Sequence, residues 1–348
     1  MKLIEAAKSC ALWALSSFAI LTVSFCAVTQ GLAAEDFYKD KTINFYIGLE
    51  SGTGYDVLAR LLTRHMPNHI PGKPLILPRN MVGAGSRTAA GYAYNVAAKD
   101  PTVLVMIDQS VPLEQVMGEK LQFDTSKFNW IGNPEAGLNV VVAWAGSGVR
   151  SINDARQREV ILGSTGSGSS RQPALMNAFL GTKFKIVTGY KGGAELNLAL
   201  ERREIDARTN SWATLRSQSR EWLNDKKINI LAQIGLKSAQ DITNVPLLIE
   251  LASNEQDRAI LRLVSAQGAI GRPIAAPPGV STDQVALLRA AFDATMIDPD
   301  FVAEAAKLGY DLNPMSGIEL QNLINEVVAT PPQLVDQLVK VLQAIDSK

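Results

Sequence analysis

The sequence predicts an α/β protein of two lobes, and three observations carry that expectation. Apolar strand-like segments alternate with amphipathic helix-like ones. The alternation runs twice, with a fresh start near Asn139. At 348 residues, 47% hydrophobic and 20% charged, the chain is long enough to bury two cores.

In the first series, Thr42 to Ile47 reads as a strand, Asp56 to His65 as a helix, Leu75 to Leu77 as a strand, Ser86 to Ala98 as a helix and Val103 to Ile107 as a strand. This βαβαβ order implies parallel pairing with right-handed crossovers. The second series has strands at Asn139–Ala143, Val160–Leu162 and Lys185–Val187, helices at Gln172–Leu180 and Ala194–Arg202, then Ile205-Asp-Ala207 and Ile228–Leu231. From Pro273 the pattern becomes helical, at about 282–296, 299–308, 316–328 and 331–345. The expected division is 35–138 for the first lobe, 139–265 for the second and 266–348 for a return to the first.

Residues 1–34 are set apart. Lys2 and Lys8 precede the mostly apolar 10–28, and Gly31-Leu-Ala-Ala34 supplies small residues, the order of a cleaved secretory signal. An uncleaved anchor is the alternative, against which Ser16, Ser17, Thr22 and Ser24 dilute the run. A lipoprotein signal at Cys26 is a third reading, opposed by bulky Phe25. Cys10 and Cys26 both lie here, so the exported chain has no thiol for a disulfide, a nucleophile or a metal.

The 34 basic and 34 acidic side chains balance, and removal of the signal shifts that by a single charge. Nucleic acid and anionic membrane, which favour a basic excess, are thereby disfavoured as partners.

Four strand-to-helix turns are rich in glycine and hydroxyl groups: Gly48–Gly54, Asn80–Ser86, Gly163–Ser170 and Gly189–Ala194. Such turns present backbone N–H groups at the positive end of a helix, a site for phosphate or carboxylate. Helix capping explains any one of them. As a set, two in each half, they suggest a ligand site beyond the carboxyl ends of the strands.

Nucleotide motifs fail residue by residue. After Gly52-Thr-Gly54 a dinucleotide loop needs glycine where Val57 stands, and a P-loop from Gly48 needs Gly and Lys where Thr53 and Gly54 stand. The second-lobe cluster lacks the P-loop lysine, and Arg171 replaces a dinucleotide glycine.

Catalytic sets are thin. His65 and His69 have metal-like spacing, but Pro67 between them should end the helix and spoil the shared face. No serine elbow has a downstream histidine, and Glu50, Asp56 and Asp206 read as caps or surface charges before they read as a carboxylate pair. We expect no enzyme, no cofactor and no metal.

The ordered set Asp56-Val-Leu-Ala-Arg60, Asn80-Met-Val-Gly-Ala-Gly85, Gly163-Ser-Thr-Gly-Ser-Gly168, Tyr190-Lys-Gly-Gly193, Asn244-Val-Pro-Leu-Leu-Ile-Glu250 and Ala276-Pro-Pro-Gly279 resembles the solute receptors of tripartite tricarboxylate transporters, the TctC or Bug family. The resemblance spans the whole exported chain. It implies a periplasmic-binding-protein fold of type II, each lobe a mainly parallel sheet flanked by helices, with a ligand cleft between the lobes.

It also implies a monomeric periplasmic receptor that closes on a small organic acid, whether a di- or tricarboxylate, an aromatic acid or an amino acid, and delivers it to membrane transporter subunits. In the family a ligand carboxylate is held by backbone N–H groups and hydroxyls, often through water. The matching positions are Ser51, Gly52, Thr53, Gly54 and Tyr55, then Gly83, Ala84, Gly85 and Ser86 in the first lobe. In the second they are Ser164, Thr165, Gly166, Ser167, Gly168 and Ser169, then Tyr190, Lys191 and Gly192, with Asp206 and Asn210 approaching the cleft.

The chain departs from the family where Glu50-Ser-Gly-Thr replaces Pro-Gly-Gly-Gly and Val82 replaces proline. Glu50 is either a solvated charge or a cleft-mouth group. Tyr55, Tyr190 and Trp212 either frame the ligand or pack beneath the turns, and Arg171 either pairs with a carboxylate or faces solvent. A ligand sensor for a histidine kinase, and more distantly an α/β enzyme, remain alternatives.

Overall fold

The structure, a computed structural model, describes residues 37–165, 167–310 and 312–346. The expected secretory segment and Gly166 lie outside these residues.

Two mixed sheets form. The first contains β1 (Thr42–Ile47), β2 (Leu75–Asn80), β3 (Val103–Met106), β4 (Asn129–Asn133), β10 (Ile274–Ala276) and β11 (Met315–Ser316), in the order β11-β4-β10-β3-β1-β2. β1 pairs in parallel with β2 and β3, while β10 runs antiparallel to β3 and β4. The second contains β5 (Asn139–Trp144), β6 (Val160–Gly163), β7 (Phe184–Val187), β8 (Ala207–Ser211) and β9 (Ile228–Ile234), in the order β7-β6-β8-β5-β9. Here β6 is parallel to β7 and β8, and β5 is antiparallel to β8 and β9.

Local chemistry explains the elements that set the site. In β1 the alternation of Ile43, Phe45 and Ile47 puts every second side chain into a core. Helix α1 (Gly54–His65) turns Leu58, Leu61 and Leu62 toward the same core. Thr53 caps it, Asp56 occupies its first turn, and the Pro67 of the following 3-10 turn ends it. Pro78, which has no N–H to donate, is tolerated because β2 is an edge strand.

Three differences from the sequence pattern bear on the site. β8 starts at Ala207 and runs through the polar Arg208-Thr-Asn-Ser211, past the expected Ile205–Ala207, because pairing with β5 and β6 overrides its poor apolar pattern. β4 lies between β10 and β11 without a clear alternating signal. A long helix, Glu255–Ile270, precedes β10 and packs against the helices Ser167–Leu180, Gly317–Val328 and Pro332–Asp346. The last of these rests on Ser167–Leu180 and Glu255–Ile270.

Candidate functional site

Strand directions decide which ends of the two sheets meet. β4 points the same way as β1, β2 and β3, so its end at Asn133 lies at the carboxyl edge of the first sheet. β5, which follows, starts opposite Ser211 at the carboxyl end of β8. On the return, β9 ends at that same edge, and Ile274 of β10 pairs with Met106 at the end of β3. Both crossings thus join carboxyl edge to carboxyl edge. The donor-rich turns of the two lobes thus lie at the carboxyl edges that the crossings connect.

At the crossings, buried Asn133 receives the N–H groups of Glu135 and Arg272 at 2.9 and 3.0 Å and donates to Ala269 O at 3.1 Å. Gly137 N–H reaches Gly268 O at 2.9 Å, tying one crossing to the other. Gly271 has φ +61°, and a Cβ there would stand 2.1 Å from Glu135 O, so only glycine fits. Arg272 pairs with Glu135, and its guanidinium carbon lies 5.4 Å from both the Tyr55 and Tyr310 ring centres. Tyr310 OH donates to Gly54 O at 2.8 Å.

The first turn keeps its donors for itself. Buried Asp56 accepts from Gly52 N at 2.9 Å, from Ser51 Oγ at 3.4 Å, from Asn80 Nδ2 at 2.9 Å and from Arg60 Nε at 2.9 and 3.0 Å. Burial pushes its carboxyl pKa up, but these donors outweigh burial and hold it at about 2. Thr53 caps the helix through Asp56 N–H at 3.4 Å. Ser51 and Glu50 are exposed.

Asn80 ties this turn to the next by donating to Leu49 O at 2.9 Å. In that second turn Gly83, Ala84, Gly85 and Ser86 all have positive φ, at 149°, 46°, 62° and 77°. Two of the four are not glycine, so the turn stores strain. Ser86 Oγ is buried without a hydrogen-bond partner, facing Gly48, where any Cβ would lie 1.9 Å from it. Ala84 and Gly85 are exposed. A third turn, after β3, was not singled out by the sequence: Gln109 N–H donates to Tyr55 OH at 3.3 Å, which itself donates to Gly271 O at 3.1 Å. Burial, with Asp108 beside it, raises the Tyr55 phenol pKa, so the group stays a neutral donor.

In the second lobe Ser164 is buried at the end of β6, its Oγ 2.6 Å from Ser169 Oγ and 2.9 Å from Ser170 Oγ. Thr165 joins through Ser169 Oγ, with its N at 3.1 Å and its Oγ1 at 3.0 Å. Ser167 and Gly168 open the next helix. Exposed Lys191 gives its N–H to Glu195 at 2.6 Å, and Gly192 has open space where a Cβ would be. Tyr190 packs on the core behind the sheet. Asn210 lies near the carboxyl end of β8, opposite Val140.

Two residues are placed elsewhere. Asp206 precedes β8 at its opposite end and accepts Ile161 N–H at 3.0 Å, so it serves the sheet and is not brought to the turns. Trp212 is buried, with Nε1 donating to Asp241 at 3.1 Å.

Arg208, which sequence reasoning passed over, stands level with Gly163 and is only 6% exposed. Its polar position inside an apolar sheet was the signal that could have marked it. His65 and His69 are engaged by Glu304 and Asp298, at 2.7 and 2.8 Å.

Solved structures share this architecture. A TctC solute-binding protein from Polaromonas, solved without ligand, is 18% identical with a TM-score of 0.67, covering 86% of this chain and 99% of that one. MatC from Rhodopseudomonas palustris with bound malate is 19% identical, TM-score 0.51, covering 85% and 99%. An R. palustris protein with adipate is 18% identical, TM-score 0.50, covering 87% and 97%. Among curated proteins, none matches. A family model described as tripartite tricarboxylate transporter family receptor matches residues 58–339, which is most of the chain and takes in both lobes, and the chain belongs to that receptor family.

Proposed function

We propose that the protein captures a small organic carboxylate between its lobes in the periplasm and delivers it to the membrane subunits of a tripartite tricarboxylate-type transporter. The observation that supports this reading is the pair of crossings that connect the carboxyl edges of the two sheets, where the donor-rich turns lie. A ligand bridging these edges favours the closed state over the open one, so binding is read out as lobe closure. Family membership supports the transport role, and the malate and adipate held by similar structures support a carboxylate ligand. The apolar, small-residue segment before Glu35 supports export.

The site residues proposed to meet the ligand are the exposed or half-buried parts of the other turns, Ala84 and Gly85, Thr165 and Ser169, and Lys191 and Gly192, since Ser51 and Thr53 are taken up by Asp56 and the helix cap. A thermal-shift screen of di- and tricarboxylates, aromatic acids and amino acids on the exported protein tests the reading. A matched acid at a hundredfold its Kd should raise Tm by roughly 5 °C. No response from any carboxylate would sink it.

A further inference from the structure

Arg208 is a buried cation of the second lobe. Its Nη1 donates to Gly193 O at 2.8 Å and to Asn197 Oδ1, and its Nε donates to Thr209 O at 3.2 Å. All three partners are neutral. Among the described residues no carboxylate pairs with it, and its Nη2 has no hydrogen-bond partner. The carboxylate closest in sequence along the neighbouring helix, Glu195, is turned to Lys191 N–H.

The surroundings make this arrangement costly without a ligand. A guanidinium out of water wants an anion, and burial pulls the Arg208 pKa down to about 10. The guanidinium also sits at the start of the helix Gly193–Glu201, where the helix dipole already contributes positive potential. Two positive sources meet at one spot, and the Glu195 carboxylate of the first helical turn is engaged by Lys191 N–H and not by the guanidinium.

The spot is also open. A Cβ on Gly193 would lie 3.6 Å from Arg208 Nη2, so the missing side chain is what leaves that nitrogen uncovered. Gly189 and Gly192, in the turn above, have nothing within 4 Å of a notional Cβ. Of these three glycines, Gly193 is the one that borders the buried cation.

We propose that Arg208 Nη2 and the amino end of Gly193–Glu201 form an anion subsite that receives the second carboxylate of a diacid, making Arg208 the residue that selects dianionic over monoanionic ligands. This rests on the carboxylate-receptor reading and names its ligand class. Arg208 is level with Gly163 on the adjoining strand, and neighbouring strands lie about 4.8 Å apart. A diacid of matching length would place one carboxylate at the Thr165 and Ser169 hydroxyls and the other at Arg208.

The test is titration calorimetry on the exported protein with malonate, succinate, glutarate and adipate, each paired with its monoamide, which keeps the shape and removes one charge. The tightest diacid should bind at least tenfold better than its monoamide. Arg208→Gln should weaken that diacid at least tenfold and the monoamide less than threefold. Gly193→Val, which leaves the cation in place and covers Nη2, should shrink the same ratio, and it decides the matter if circular dichroism shows Arg208→Gln unfolded. A diacid that binds wild type no better than its monoamide, or a ratio unchanged in the variants, overturns this subsite and leaves the receptor intact. Failure of every acid and monoamide to bind wild type overturns the receptor reading, and the subsite falls with it.

Discussion

The turn after β1 and the turn before Gly193–Glu201 look alike in sequence, each a glycine-rich passage from strand to helix, yet they are opposites electrostatically. In the first, a carboxylate of the chain, Asp56, fills the donors that the turn creates, and Arg60 balances it at 2.9 Å. In the second, Glu195 takes the Lys191 N–H, but the buried cation Arg208 has no carboxylate partner among the described residues. The first turn is a satisfied structural unit, and the second has attraction to spare. A glycine-rich helix start alone therefore does not make an anion site, and the buried cation is what sets the second turn apart.

The largest expected effect breaks the first turn. Asp56→Ala strands Arg60, Asn80 and Gly52 N–H and should cost about 3 kcal/mol in urea unfolding. A loss under 1 kcal/mol would mean the turn is not held by its own carboxylate.

Next comes acid sensitivity. Asp56 titrates near 2 when folded, below its ordinary 3.8, so its contribution is complete above about pH 4 and drains away as pH falls toward 2. The wild type should lose about 2 kcal/mol over that window beyond what Asp56→Asn loses, measured by unfolding at stepped pH. Parallel pH profiles for the two proteins would contradict this.

The link from that turn to the crossing is smaller. Tyr55→Phe removes the hydroxyl between Gln109 N–H and Gly271 O and should cost about 1.5 kcal/mol. If stability holds, the hydroxyl is not part of the frame.

The smallest effect has the opposite sign. Ser86→Ala deletes a buried hydroxyl with no partner and should raise stability by about 1 kcal/mol. A loss of stability would show that the hydroxyl has a partner after all, which would return Ser86 to the ligand side of the comparison.

Much of this was legible in the residues. Apolar alternation in Thr42–Ile47 and the cap signals around Asp56–His65 are local, so the elements of the first lobe could be read directly. β8 was misplaced because Arg208-Thr-Asn-Ser211 looks like loop, and only neighbours on both sides make it strand. For the same reason the sequence marks Asp206 and not Arg208, although two residues along a strand carry the chain from one end of the sheet toward the other.

By itself the sequence determined the α/β class, the two series of elements, the failure of nucleotide motifs and the resemblance to carboxylate receptors, all properties of short spans or of residue order. Only the tertiary structure decided that Asp56 consumes the first turn's donors, that Ser86 is buried against Gly48, that the crossings join the carboxyl edges of both sheets, and that Arg208 lies buried without a counter-charge among the described residues. The reason is physical. Helix and strand patterns follow from periodicity along the chain, whereas the fate of a charge depends on which distant groups share its low-dielectric surroundings.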